Sequence, residues 1–199
     1  MIEIRKNPTE SQHLLPSLAL LECFTLPPSS WQANRNASHS PETESQKIYD
    51  VSLVIGRFQP LHWGHIYLIH QALEISNSVI IGIGSSSTTD NDNPFSALQR
   101  HLLLDKSLGR EGIRSRVNNI VHLTDHDDDN LWLQKTIERT GEIGAVVGNN
   151  PWVNGIFANA GYEAVEIPMY KRNIYKGGEI RRQLRHAGFF NPCCTWCPP

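Results

Sequence analysis

From residue 51 onward, short continuous apolar runs alternate with segments whose apolar residues recur at helical spacing. The runs are Val51 to Gly56, Val79 to Gly84, Ile120 to Leu123, Ala145 to Gly148 and Ala164 to Pro168. After the first run, Ile66, Leu68, Ile69, Ala72, Leu73 and Ile75 form a helical stripe with a polar reverse. Pro94 to Leu108, Leu131 to Thr140, Pro151 to Ala160 and Glu179 to His186 read as further helices, the first three stopped by Gly109, Gly141 and Gly161. A strand that is apolar throughout, rather than at alternate positions, is covered on both faces. The expected fold is therefore α/β: a doubly wound, parallel five-stranded sheet with helices on both faces. Ligands of such sheets bind beyond the carboxyl ends of the strands, at the switch point. The loops after Gly56, Gly84, Leu123 and Gly148 are thus the places to look for function.

The pattern stops short of both ends. Residues 1–50 carry Pro8, Pro16, Pro27, Pro28 and Pro41 among many Ser, Thr, Asn and Gln, and read as a loose extension with one short helix near Leu14 to Cys23. Residues 51–188 are the expected domain, and 189–199 a tail rich in Cys and Pro. Arg5 and Lys6 before the apolar stretch Leu14 to Leu26 faintly resemble an export signal, but Glu3, Glu10, Pro16 and Glu22 break it, so a cytoplasmic protein is expected. Four cysteines, none in the expected core, are not a disulfide framework. Cys194 and Cys197 form a C-x-x-C, but in a tail rather than at a strand–helix junction, and a redox or zinc role is the minor reading. A net charge of −2 gives no basic field for nucleic acid, and no apolar run approaches the roughly 20 residues of a membrane helix.

The loop after the first strand reads Ile55-Gly56-Arg57-Phe58-Gln59-Pro60-Leu61-His62-Trp63-Gly64-His65. Gly56 lets backbone approach a ligand, and Gly64 keeps the start of the following helix uncrowded. Free N–H groups at a helix start favour an anion. Two histidines and an arginine add donors at the same turn. Phosphoryl and nucleotidyl transfer want this set, because their catalysis is mainly positioning and neutralising phosphate charge. The rival reading makes His62 and His65 zinc ligands. No third ligand is evident nearby in sequence, and Arg57 disfavours a cation.

G-R-F-Q-P-L-H-W-G-H resembles the H-x-G-H signature of the nucleotidyltransferase superfamily. Its extended form resembles the archaeal-type nicotinamide-nucleotide adenylyltransferases in particular, whose sheet is the Rossmann-like form of the one expected here. The resemblance implies that Arg57, His62 and His65 bind ATP phosphates and steady the transition state, with Gly56, Phe58, Gln59 and Gly64 shaping the ATP site. After the second strand, Gly82-Ile83-Gly84-Ser85-Ser86 and Asn93-Pro94-Phe95-Ser96-Ala97-Leu98-Gln99-Arg100 are similar to the family's I-G-S and N-P-F-[ST]-x-x-E-R segments. That puts Gly84, Ser85 and Arg100 at the nucleotide substrate, with Gln99 in place of the usual glutamate. Leu131-Trp132 matches an L-W pair. Trp132 could stack on a nicotinamide ring, or be buried against the sheet. Asn150, in a segment similar to [SG]-N-P-x-V, is placed to hydrogen-bond a base or amide. The acidic run Asp125 to Asn130 could hold magnesium but reads better as a helix cap.

The last family motif, Y-S-G-T-E-[VI]-R-R, appears here as Tyr175-Lys176-Gly177-Gly178-Glu179-Ile180-Arg181-Arg182. Arg181 falls on the arginine that contacts ATP phosphate. Lys176 replaces serine and Gly178 replaces threonine. The Gly177 and Gly178 backbone, with the Lys176 charge, is expected to stand in for those hydroxyls. The resemblance spans about Val51 to Arg185. It implies adenylyl transfer from ATP, with Mg2+, to nicotinamide mononucleotide. Rival acceptors are FMN, phosphopantetheine or a phospho-alcohol, and a rival class is an ATP-binding regulator without turnover. The family implies a homo-oligomer, which the unlike tail leaves open. No resident metal is expected.

Overall fold

The structure, a computed structural model, describes residues 25–29, 31 and 47–186. The expected helix near Leu14 to Cys23, all four cysteines and the tail lie outside these residues. Five strands form one sheet: β1 (Tyr49–Gly56), β2 (Ser76–Ile83), β3 (Val117–His122), β4 (Ala145–Gly148) and β5 (Glu163–Glu166). All neighbouring strands pair in parallel, in the order β3-β2-β1-β4-β5. The helices between and after them are α1 (Trp63–Ile75), α2 (Ala97–Arg110), α3 (Asp129–Thr140), α4 (Pro151–Asn159) and α5 (Gly177–His186).

Strand alternation divides the apolar runs between two cores. Val54, Ile81 and Val147 face one side, under α1, α2 and α5, with Ile66, Ile69, Leu103, Leu104 and Ile180. Leu53, Ile80 and Val146 face the other, under α3 and α4, with Trp132, Val153 and Phe157. This is why the strands read as unbroken apolar runs. The chain reverses its direction of winding between β1 and β4, so the switch point lies between the carboxyl ends of those two strands.

Both ends of the second helix differ from the sequence reading, and α3 and α5 each begin two residues earlier than read. The second helix begins at Ala97, not Pro94, because Ser96 and Gln99 cap it reciprocally. Ser96 Oγ accepts the Gln99 N–H at 3.3 Å, and Gln99 Oε1 accepts the Ser96 N–H at 2.9 Å. Gln99 thus does in α2 what a glutamate does in a capping box. Gly109 does not stop this helix; the chain turns at Gly112, where φ is 70°. The acidic run before α3 is a cap: Asp128 accepts the Leu131 N–H at 2.7 Å, and Asp129 adds negative charge to the first turn.

The described part of the N-terminal region packs on the domain. Thr25 is fully buried and takes two hydrogen bonds from the Arg110 guanidinium, at 2.8 and 2.7 Å. Trp31 lies against Trp63, Tyr67 and His70 of α1.

Candidate active site

The loop from Gly56 to His62 leaves β1 at the switch point and enters α1 with His62 as its N-cap. The two histidine rings are stacked, 3.8 Å between centroids. The His62 N–H donates to His65 Nδ1 at 3.3 Å, which fixes the second ring over the first turn. A Cβ on Gly64 would stand 3.1 Å from the His62 ring and 3.3 Å from the Tyr175 Cβ, so only glycine leaves room for that stack. His62 Nδ1 is buried and has no hydrogen-bond partner among the described residues. A buried, unpaired ring nitrogen is costly unless a ligand satisfies it.

Burial lowers the His62 pKa to about 4, and burial followed by the neighbouring His62 lowers His65 well below its ordinary value. In the folded chain both rings are neutral near pH 7 and offer polar N–H donors rather than charge. The charge comes from arginine. Arg57 is exposed at the mouth of the loop. Arg181, 9% exposed, donates to the Gln59 carbonyl at 2.7 Å and lies 3.5 Å from Asp92. Arg57 helps to lower the pKa of both Arg100 and Arg181, behind burial and a favourable aspartate, so the three cations share one region.

The N-terminus of α5 meets the loop from the other side. A Cβ on Gly177 would lie 3.1 Å from the Gln59 carbonyl oxygen. Tyr175 stacks on His62 with centroids 6.2 Å apart. The starts of α1 and α5, both rich in free N–H groups, therefore converge with Arg57 and Arg181 on one spot. Lys176 is exposed immediately before Gly177 and Gly178. That arrangement suits an elongated polyanion.

Other expected site residues turn inward. Gln59 is 3% exposed and pairs with Phe95 through both ends of its amide, at 2.8 and 3.1 Å. Phe58 is buried beneath Gly56 and against the His65 ring, with φ 51°. Arg100 is 1% exposed. It donates to the carbonyls of Arg57, Gly84 and Ser85 at 2.7, 2.7 and 3.0 Å, and its Nε reaches the Ser96 carbonyl at 3.3 Å. It ties the loop after β1 to the loop after β2, and holds Gly84 and Ser85 beside Gly56.

At the end of β4, Asn150 caps α4 by accepting the Trp152 N–H at 3.1 Å. Its amide nitrogen has no partner among the described residues, so a donor remains for a ligand. Trp132 is only 3% exposed, packed on Phe157. Trp152, 5.2 Å from Trp132 and 50% exposed, is the indole that reaches solvent. The sequence reading did not single it out, because a residue at a helix start gives no sign of which way it faces. Among the described residues, no group of three or more His, Cys, Asp or Glu could hold a metal.

The Cytidylyltransferase-like family matches residues 53–182. The chain is 34% identical over 134 residues to a nicotinamide-nucleotide adenylyltransferase of Thermoplasma volcanium, covering 67% of this chain and 74% of that one. It is 37% identical over 135 residues to the enzyme of the same name from Archaeoglobus fulgidus, covering 65% and 77%. The chain belongs to the nicotinamide-nucleotide adenylyltransferase family. Among solved structures, this adenylyltransferase resembles a bifunctional NMN adenylyltransferase/ADP ribose pyrophosphatase from Francisella tularensis, with a TM-score of 0.63 and 29% identity. The match covers 70% of this chain and 43% of that one. The same Francisella enzyme has been solved complexed with AMP and a Mn ion; there the TM-score is 0.59 and the identity 30%, over 69% of this chain and 42% of that one. Trp31 lies outside the family match.

Proposed function

We propose that the chain transfers the adenylyl group of ATP to nicotinamide mononucleotide, giving NAD and pyrophosphate, with the triphosphate held where α1 and α5 begin. The observation that carries this reading is the convergence of two helix N-termini, two stacked imidazoles and two arginines at the β1/β4 switch point. A 5′-phosphate oxygen of the mononucleotide attacks the α-phosphorus of ATP in line. The new P–O bond forms as the bond from the α-phosphorus to the bridging oxygen breaks, and pyrophosphate leaves with that oxygen. No protein nucleophile takes part.

In this reading Arg57 and Arg181 offset charge on the β- and γ-phosphates, and His62 and His65 donate N–H groups to oxygens that gain charge in the transition state. An anion at the rings raises their pKa toward protonation, and a protonated ring donates more strongly than a neutral one. Gly177, Gly178 and Lys176 supply the donors that hydroxyl groups give in relatives. Gly56 and Gly64 allow close approach. Gln59, Phe58 and Arg100 hold the loops in place from beneath, with Gly84 and Ser85 presented to the mononucleotide. Asn150 and Trp152, backed by Trp132, receive the nicotinamide end. Mg2+ bound with ATP would add charge neutralisation at the phosphates to that of Arg57 and Arg181.

The test is pyrophosphate release with ATP and Mg2+, offering nicotinamide mononucleotide, its deamidated form, FMN, phosphopantetheine or no acceptor. Release only with the pyridine mononucleotides, with the dinucleotide as product, supports the assignment. Release with another acceptor moves the substrate while keeping the site. His65→Ala is expected to lower kcat/KM by roughly 10²–10³ while the circular dichroism spectrum is unchanged, the size of loss seen when one oxyanion donor is removed.

A further inference from the structure

The rings of Trp31, Tyr67, Tyr170, Tyr175 and His62 form an unbroken sequence of contacts. Trp31 meets Tyr67 edge-on at 5.8 Å. Tyr67 stacks on Tyr170 at 4.6 Å and 28°. Tyr170 stacks on Tyr175 at 6.0 Å and 25°, and Tyr175 on His62 at 6.2 Å and 23°. A shorter route runs through Trp63, which Trp31 touches at 5.7 Å and which follows His62 in the chain. Trp63 is fully buried, so its position is set by what packs on it.

The near end of this sequence is anchored independently of the rings. Thr25 is fully buried, and besides Arg110 it takes a hydrogen bond from the Ser107 hydroxyl at 3.3 Å. Trp31 closes a turn by donating its N–H to the Pro28 carbonyl at 2.8 Å. The N-terminal segment is thus fastened to α2 at one point and pressed on α1 at another. Neither point touches the phosphate site.

We propose that Trp31 is a positioning residue for His62: it holds α1 and the Tyr170–Tyr175 strap in the one arrangement that keeps the His62 ring over the triphosphate. Aromatic stacks tolerate sliding poorly when each ring is packed on both faces. Removing the first ring lets Tyr67 and Tyr170 relax toward the space it leaves, and Tyr175 is then free to move off His62. ATP and the mononucleotide are still bound by arginines and backbone groups that Trp31 does not touch, so the loss falls on turnover. The proposal rests on the adenylyl-transfer reading for its assay, and ATP affinity by calorimetry gives a readout that stands without it.

The experiment uses the full chain. Trp31→Ala is expected to lower kcat five- to tenfold, with KM for either substrate and Kd for ATP within twofold of the parent. Trp31→Phe, which keeps a ring, is expected to recover at least half of the loss. Tyr170→Ala should reproduce the kcat loss, and the double variant should be no slower than the slower single one, because both substitutions break one sequence of contacts. Arg110→Ala, which removes two of the hydrogen bonds to Thr25 but leaves the rings, checks for a merely structural clasp. The idea is overturned if Trp31→Ala lowers the melting temperature as Arg110→Ala does while kcat stays within twofold. It is equally overturned if the Trp31 and Tyr170 losses multiply. Absence of turnover in the parent chain sinks the adenylyl-transfer reading; the positioning proposal is then decided by the His62 ring resonances, which Trp31→Ala must shift.

Discussion

At the scale of single residues, burial sets the state of the two histidines at the candidate site. Both rings have depressed pKa values because burial disfavours their charged form. The unfolded chain takes up those protons near pH 6.5, and the folded chain does so at His62 only near pH 4. Between these values the unfolded state binds more protons, so the stabilising contribution is complete above 6.5 and is lost as pH falls toward 4. Through His62 the free protein is expected to lose about 1.5 kcal/mol of stability between pH 6.5 and 5, with a further loss in the same direction from His65, read by urea unfolding at the two pH values. A second prediction concerns Lys176, exposed immediately before Gly177 and Gly178. Lys176→Ala is expected to weaken ATP binding about tenfold by calorimetry, the size of one charge-assisted hydrogen bond. Gly178→Thr fits sterically, since a Cβ there meets only the Arg181 guanidinium at 3.9 Å. Its kcat/KM is expected to equal or exceed that of the parent.

At the scale of elements, the approach of α5 to the first loop and the start of α4 each make a specific demand. Gly177 lets α5 come within contact of the Gln59 carbonyl, where Arg181 is also bonded. Gly177→Ala forces the helix back by a few tenths of an ångström and takes Arg181 with it. KM for ATP is expected to rise several-fold, while the thermal midpoint changes by only a few degrees. At α4 the exposed Trp152 ring rests against buried Trp132. Trp152→Ala is expected to raise KM for nicotinamide mononucleotide about tenfold and leave KM for ATP unchanged, in line with the loss of one stacking partner. Unchanged KM for the mononucleotide would move the ring from the site to the surface.

At the scale of the whole molecule, the sheet was legible because its central strands are buried on both faces, and a doubly covered strand can only be written in apolar residues. The loop after β1 stood out as the candidate site because glycine, arginine and histidine at a strand–helix junction have few other uses. Helix ends were less so: Pro94 and Gly109 are strong local signals, but the reciprocal bonds of Ser96 and Gln99 and the left-handed turn at Gly112 decided the boundaries. The inward roles of Gln59 and Arg100 were not legible, since a guanidinium that meets carbonyl oxygens looks, in sequence, like one that meets phosphate. Trp31 escaped notice for a different reason: it lies in a stretch without apolar period, and its contacts depend on residues far along the chain.

Gln59 and Arg181 are 122 residues apart, yet a hydrogen bond joins them into one wall of the proposed phosphate site. A ribosome delivers the chain from its N-terminus, so β1, α1 and their histidines emerge long before α5. Through most of synthesis the sheet can assemble while the triphosphate has only half a cradle. In the proposed site, nucleotide capture thus waits for α5, the last of the described helices to leave the exit tunnel.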